Sequence, residues 1–290
     1  MQYIETKSIL SKLRMNDPYF GITYNMNLYR GCQHACIYCD TRSECYGIND
    51  ISNISVKSNA LELLTKELRA KRKARATIGT GSMNDPYMPL EKEQEMTRRA
   101  LQIIALEKFP VHIITKSNLV ARDSDLLQEI AKIYAAVSFT ITTYDDKIAQ
   151  TIEPCAPKSS DRFKAMERLS SIGIYTGVTL MPILPFINDT RENIENILKE
   201  AKNTGASYVI FMPGMTLRKG SREYFYNALE HHFVGIKERY QSAFGNQYIC
   251  NSPNYKMLMN ILYELSAKLG IETKMKFYQP ATNQQLSIWE

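Results

Sequence analysis

The sequence predicts an α/β fold organised around a parallel sheet, with a mainly helical C-terminal extension. Three observations carry this. Apolar, strand-like runs alternate with amphipathic helical stretches up to residue 212, the pattern of βαβ units. Helix punctuation falls where the alternation needs it: Ser159-Ser-Asp161 precedes an apolar run, Asp189-Thr190 precedes Glu192, and Gly173 supplies a stop. Beyond residue 212 the strand-like runs cease and helical patterns dominate.

In chain order, strands are predicted at residues 23–30, 76–80, 111–115, 136–141, 175–181 and 208–212. Helices are predicted between them at 58–71, 91–106, 124–132, 159–171 and 190–203. The apolar flank 111–114 implies that Lys116, just after it, is recessed. In the fourth strand Ser138 and Thr140 alternate with Val137, Phe139 and Ile141, a period of two that turns one set inward. The fifth ends in the apolar bend Met181-Pro-Ile-Leu-Pro-Phe186. Helices follow at 221–231, 233–244 and 255–269. The expected division is a core of residues 1–215 and an extension, 216–290, packed on it.

The chain has 290 residues, 44% of them apolar, enough for a sizeable core. No run approaches a membrane-spanning length, and the N-terminus has no apolar signal core, so a cytoplasmic location is expected. Six cysteines do not make a disulfide scaffold; reduced thiols suit a cytosol. The net charge is +6, densest at Lys66-Glu-Leu-Arg-Ala-Lys-Arg-Lys-Ala-Arg75. That segment reads either as a phosphate-contacting patch or as the solvated end of a helix whose cations offset its dipole.

The chemistry concentrates in Arg30-Gly-Cys-Gln-His-Ala-Cys-Ile-Tyr-Cys-Asp40. Cys32, Cys36 and Cys39 are spaced Cys-x3-Cys-x2-Cys, with Tyr38 before the last. Three thiolates can hold three corners of an iron–sulfur cubane, which usually takes four cysteines; the fourth iron is left open. Zinc, the plainer alternative, wants four ligands in pairs, and no second cysteine pair is present.

The segment resembles the signature loop of the radical S-adenosylmethionine (SAM) enzymes. The resemblance implies a [4Fe–4S] cluster on Cys32, Cys36 and Cys39, with SAM chelating the fourth iron. One electron then cleaves SAM to methionine and a 5′-deoxyadenosyl radical that abstracts hydrogen. It also implies a partial (β/α)6 TIM-type barrel, matched by the six strands and five helices, with ligands at the carboxyl ends of the strands. The cysteine loop follows the first strand and falls at that end. A flavodoxin or ferredoxin type electron donor and a monomer are the expected partners and state.

Strand-end residues supply the implied SAM contacts. After the second strand comes Gly79-Thr-Gly-Ser-Met-Asn-Asp-Pro-Tyr-Met-Pro-Leu-Glu91. Gly79, Gly81 and Ser82 would let the backbone approach the SAM amino group, and Asp85 would accept from it. Lys116 would pair with the SAM carboxylate. Ser138 would bond the ribose or carboxylate, or satisfy backbone, and Tyr38 would belong to the cofactor site. The plainer roles are a loop capping the next helix, a surface lysine and core packing.

The likeness extends further. Tyr24-Asn-Met-Asn-Leu-Tyr-Arg-Gly-Cys32, His34, Tyr38-Cys39, Asn84-Asp-Pro-Tyr-Met-Pro-Leu-Glu91 and Ile114-Thr-Lys-Ser117 resemble the spore photoproduct lyase-like family across residues 5–215. That family, often labelled DNA repair photolyase, is named for reversal of a thymine lesion in which a protein cysteine returns a hydrogen atom. Where that cysteine would align, this chain has Gly81. Cys45, Cys155 and Cys250 are then the candidate hydrogen donors, Cys45 first among them, and the plainer reading of each is a small buried hydrophobe. The substrate is open among nucleic acid, a peptide and a small molecule. The reading from another class is a non-catalytic iron–sulfur or zinc protein.

Overall fold

The computed structural model describes residues 1–15, 17–48 and 50–280. Two three-residue strands, β1 (Gln2–Ile4) and β2 (Leu10–Lys12), precede the first barrel strand, β3 (Tyr24–Met26). The strand predicted over 23–30 breaks after Met26. Its second half, β4 (Tyr29–Arg30), pairs antiparallel with β5 (Ser55–Lys57), which lies parallel to β1. The cause is a competing partner: Lys57 N–H donates to the Leu28 carbonyl at 3.1 Å and draws the chain into a side sheet. Strands of three residues are too short to show a period, so β1 and β5 escape a reading by pattern.

The alternation then runs α1 (Ala60–Ala70), β6 (Ile78–Gly79), α2 (Glu91–Gln94), α3 (Met96–Glu107), β7 (Val111–Thr115), α4 (Ser124–Ala131) and β8 (Ala135–Thr140). It continues through α5 (Asp146–Ile152), α6 (Ser159–Ser171), β9 (Tyr175–Leu180), α7 (Arg191–Asn203) and β10 (Tyr208–Phe211). The main sheet has the order β10-β9-β8-β7-β6-β3-β2. The six strands from β3 to β10 are parallel, and β2 is antiparallel at the edge. Each parallel strand neighbours the next in chain order, so every crossover steps the same way. This is the partial (β/α)6 barrel, open between β10 and β2.

Local chemistry explains the departures. The helix predicted over 91–106 divides at Glu95, which is left-handed at φ 49°. The buried Glu91 carboxylate, one turn upstream, accepts from Thr97 N–H at 3.0 Å and Arg98 N–H at 3.3 Å, and so caps α3 itself. Ser159 does not cap α6; its hydroxyl donates to the Thr143 carbonyl at 2.7 Å, and Lys158 takes the cap position. Thr190 does cap α7, accepting from Asn193 N–H at 3.2 Å. Asp189 instead holds Ser252 of the extension at 2.6 Å. The unpredicted α5 is short and capped by Asp145, which accepts from Lys147 N–H at 2.7 Å.

The extension carries α8 (Ser221–His232), α9 (Ile236–Phe244) and α10 (Tyr255–Leu269), as well as an unpredicted ribbon, β11 (Gly214–Thr216) with β12 (Ile249–Asn251). α10 buries Leu258, Ile261 and Leu262 in the core shared with Ile194, Ile197 and Leu198 of α7. A second cluster joins Phe225, Tyr240 and Phe244 to Cys36, Ile37 and Tyr38, so the extension packs directly on the cysteine loop. Among the described residues no helix is long and apolar enough to cross a membrane.

The N-terminal end of the barrel is plugged. A Cβ on Gly79 would meet Ile22 at 2.6 Å, and one on Gly177 would meet the Tyr208 ring at 2.4 Å. His112 Nε2 lies 2.7 Å from Ser138 Oγ, which is 2.6 Å from the Tyr208 hydroxyl. Phe20 covers His112, and Lys276 is tied through its backbone to Tyr134 and Tyr175.

Candidate active site

At the carboxyl end lies a cavity of about 360 Å³, lined by Cys32, Cys36, Cys39, Lys116 and the segment 81–85 among others. The cysteine loop hangs from β4 through Gly31. There φ is +90°, and a Cβ would sit 2.6 Å from the Ile51 carbonyl oxygen, so only glycine serves. Cys32 N–H donates to that same carbonyl at 2.8 Å, and Cys39 N–H to the Cys36 carbonyl at 3.3 Å.

The middle of the loop is held from outside. Ile37 N–H donates to the Ile152 carbonyl at 2.9 Å, and Cys155 N–H to the His34 carbonyl at 3.1 Å. His34 is buried, with Nδ1 3.3 Å from the Cys155 carbonyl and Nε2 3.2 Å from Asp85 Oδ2. That second contact is off the line of a good hydrogen bond. The Tyr38 hydroxyl donates to Glu153, whose other oxygen lies 2.5 Å from Arg162. Burial disfavours the Glu153 anion, but Arg162 and Lys116 outweigh it and hold the carboxyl below the usual range.

Asp85 lines the cavity yet is already engaged. It accepts from the Thr115 hydroxyl and Lys116 N–H, each at 2.6 Å, and from Tyr87 N–H at 2.9 Å, besides facing His34. Burial works against its charge. His34 and these donors win, and its carboxyl stays well below the ordinary range. Asp85 therefore fastens the segment after β6 to the start of the loop after β7. Lys116 makes no ion pair among the described residues, and its ammonium lies 5.8 Å from the centre of the Tyr38 ring. Burial opposes that charge too, but Cys36, Glu153 and Asp85 favour it.

The other candidates scatter. Gly81 and Ser82 line the cavity, and Ser82 accepts from Asn25 at 2.5 Å. Gly79 and Ser138 lie in the plugged end instead. Cys45 is exposed, outside the cavity, with its sulfur 3.4 Å from an Arg218 nitrogen. Cys155 is exposed, and Cys250 is buried in β12. In the basic segment, Arg69 and Arg72 share the single Glu107 carboxylate at 3.1 and 2.7 Å and stay more than half exposed. Glu153 and Arg162 escaped sequence reasoning. One follows a short unpredicted helix; the other looks like one more helix arginine.

The donor set suits an iron–sulfur cluster. Burial pushes the Cys32 thiol up to about 11 and holds the Cys36 thiol well above its ordinary range, so these sulfurs ionise readily only beside a strong positive charge such as a metal's. Among the described residues, no group of His, Cys, Asp or Glu converges on a single metal-ion position.

Comparison with known proteins agrees. The family model "Radical SAM superfamily" matches residues 26–201, and the chain belongs to that superfamily of enzymes, whose cofactors are a [4Fe–4S] cluster and SAM. An uncharacterized protein of Methanocaldococcus jannaschii is 34% identical over 186 residues, 63% of this chain and 67% of that one. Another, from Mycobacterium tuberculosis, is 28% identical over 245 residues, 82% and 72% of the two chains. A solved structure of spore photoproduct lyase complexed with dinucleoside spore photoproduct superposes with a TM-score of 0.69 at 13% identity, covering 94% of this chain and 81% of that one. The spore photoproduct lyase-like fold is thereby shown.

Proposed function

We propose that Cys32, Cys36 and Cys39 ligate the cluster and that the enzyme cleaves SAM reductively to abstract hydrogen from its substrate. The observation that carries this is the meeting, on one cavity, of three cysteines with an ammonium that has no carboxylate partner. When bound and reduced by a flavodoxin or ferredoxin type donor, the cluster supplies the electron that splits SAM into methionine and a 5′-deoxyadenosyl radical. Lys116 binds the carboxylate of SAM. Asp85 orients Lys116 by fixing its backbone N–H. Met83, Met181, Met212 and Met215 give the cavity an apolar wall. Anaerobic reconstitution tests this. Cys32→Ala abolishes the cluster and 5′-deoxyadenosine formation, while Lys116→Met keeps the cluster and weakens SAM binding by about 10–100-fold. A Cys32→Ala chain that still cleaves SAM sinks the reading.

For the substrate we favour nucleic acid. Beside Asp40 and Thr216 of the cavity stand two arginine–tyrosine stacks, Arg42 on Tyr224 at 3.7 Å and Arg218 on Tyr248 at 4.7 Å. Guanidinium and aromatic faces together suit phosphates and bases. Binding of a single-stranded oligonucleotide should weaken with salt and fall further in Arg218→Ala; salt-independent binding excludes this substrate class.

A further inference from the structure

We infer that Glu153 and Arg162 are positioning residues for the cysteine loop, forming a buried clamp that presents Cys36 and its neighbours to the cluster. The inference rests on Cys32, Cys36 and Cys39 being the cluster ligands. Both side chains are buried, Glu153 with 1% and Arg162 with 0% of its surface exposed. Neither touches solvent or lines the cavity. Such a pair is costly to desolvate, and a fold gains little stability from it over apolar residues of similar volume. Its retention here is explained by what each partner holds.

Besides facing Glu153, Arg162 donates three hydrogen bonds to two backbone carbonyls. One terminal nitrogen donates to the Thr140 carbonyl at the end of β8, at 2.8 Å. Nε and the other terminal nitrogen donate to the Pro157 carbonyl at 2.9 and 2.7 Å. The guanidinium thus fixes the turn 153–157 against the barrel. That turn, with Ile152, is the splint of the cysteine loop. It takes Ile37 N–H and gives Cys155 N–H through the backbone, contacts His34, and through Glu153 receives the Tyr38 hydroxyl. His34 lies between Cys32 and Cys36, and Ile37 and Tyr38 fill the gap between Cys36 and Cys39. Every segment of the loop that separates two thiols is therefore held by the splint, and the splint by Arg162. Partners of this kind, one step behind the ligands, typically change metal affinity by about 10–100-fold when removed.

Two variants test the clamp. Tyr38→Phe removes one hydroxyl and keeps the packing of the ring, so it folds even if Glu153→Gln does not. After anaerobic reconstitution, each is expected to lose iron to a chelator about tenfold faster than the parent and to show an altered EPR signal in the reduced, SAM-free state. The melting temperature of the metal-free Tyr38→Phe chain should fall no further than that of Tyr29→Phe, which loses an equivalent buried hydroxyl away from the loop, and this separates loop positioning from global stability. The double variant should be no worse than the poorer single one, because both act through one contact. Parental iron-release rates with an unaltered EPR signal overturn the inference, as does strict additivity of the two changes. A parent chain that takes up no cluster overturns the ligand assignment and the clamp together.

Discussion

Two buried glutamates in this molecule have the same company and opposite consequences. Glu91 receives the Tyr29 hydroxyl and an Arg122 nitrogen at 3.0 Å; Glu153 receives the Tyr38 hydroxyl and pairs with Arg162 at 2.5 Å. The first set joins β4 to the start of α3 and lies away from the cavity. The second touches the cysteine loop. A tyrosine, a carboxylate and a guanidinium in a dry interior do not by themselves mark a functional site. The element to which the tyrosine belongs decides what the set controls.

The comparison breaks most readily through stability. Glu91→Ala leaves Arg122 partly unpaired and uncaps α3, and should cost about 3 kcal/mol in denaturant unfolding. Cluster content per folded chain should stay at the parental level. A loss of cluster without loss of stability would mean that both sets serve the loop.

The plugged end of the barrel gives the next largest effect. Burial holds the His112 imidazole neutral and pulls its pKa down to about 3, while in the unfolded chain it titrates near 6.5. A folded pKa that is depressed means the unfolded chain binds the extra proton first. Stability is therefore complete above pH 6.5 and falls as pH drops, by about 1.4 kcal/mol per unit toward pH 3. Urea midpoints at pH 7 and 5 for the parent and His112→Gln should show a smaller drop in the variant. Equal drops would remove His112 from the acid response. Tyr29→Phe is the smallest change, about 1 kcal/mol for one hydroxyl, and unlike Tyr38→Phe it should leave iron release untouched.

How much of this was readable depended on the distance over which residues act. The cysteine spacing is complete within eight residues, and the six parallel strands announce themselves by local pattern. Glu153 and Tyr38 are 115 positions apart, and Glu91 and Tyr29 are 62 apart; no local pattern joins them. The same limit hid β11 and β12, which become strands only by pairing across α8 and α9. Asp85 was visible as a cavity residue. That its oxygens are filled by Thr115, Tyr87 and the Lys116 backbone depends on strands that only the fold brings together.

Gly81 carries a consequence for ancestry. Its φ is +86°, and a Cβ there would lie 2.3 Å from the Ile114 carbonyl oxygen. Glycine and cysteine codons can differ by a single nucleotide, so the genetic distance from this chain to one with a thiol at that position is minimal. The structural distance is not. The thiol arrives only if the backbone after β6 moves away from β7, and Asp85 ties those two segments together. A cysteine substituted for Gly81 would therefore have to displace backbone as well as add a thiol.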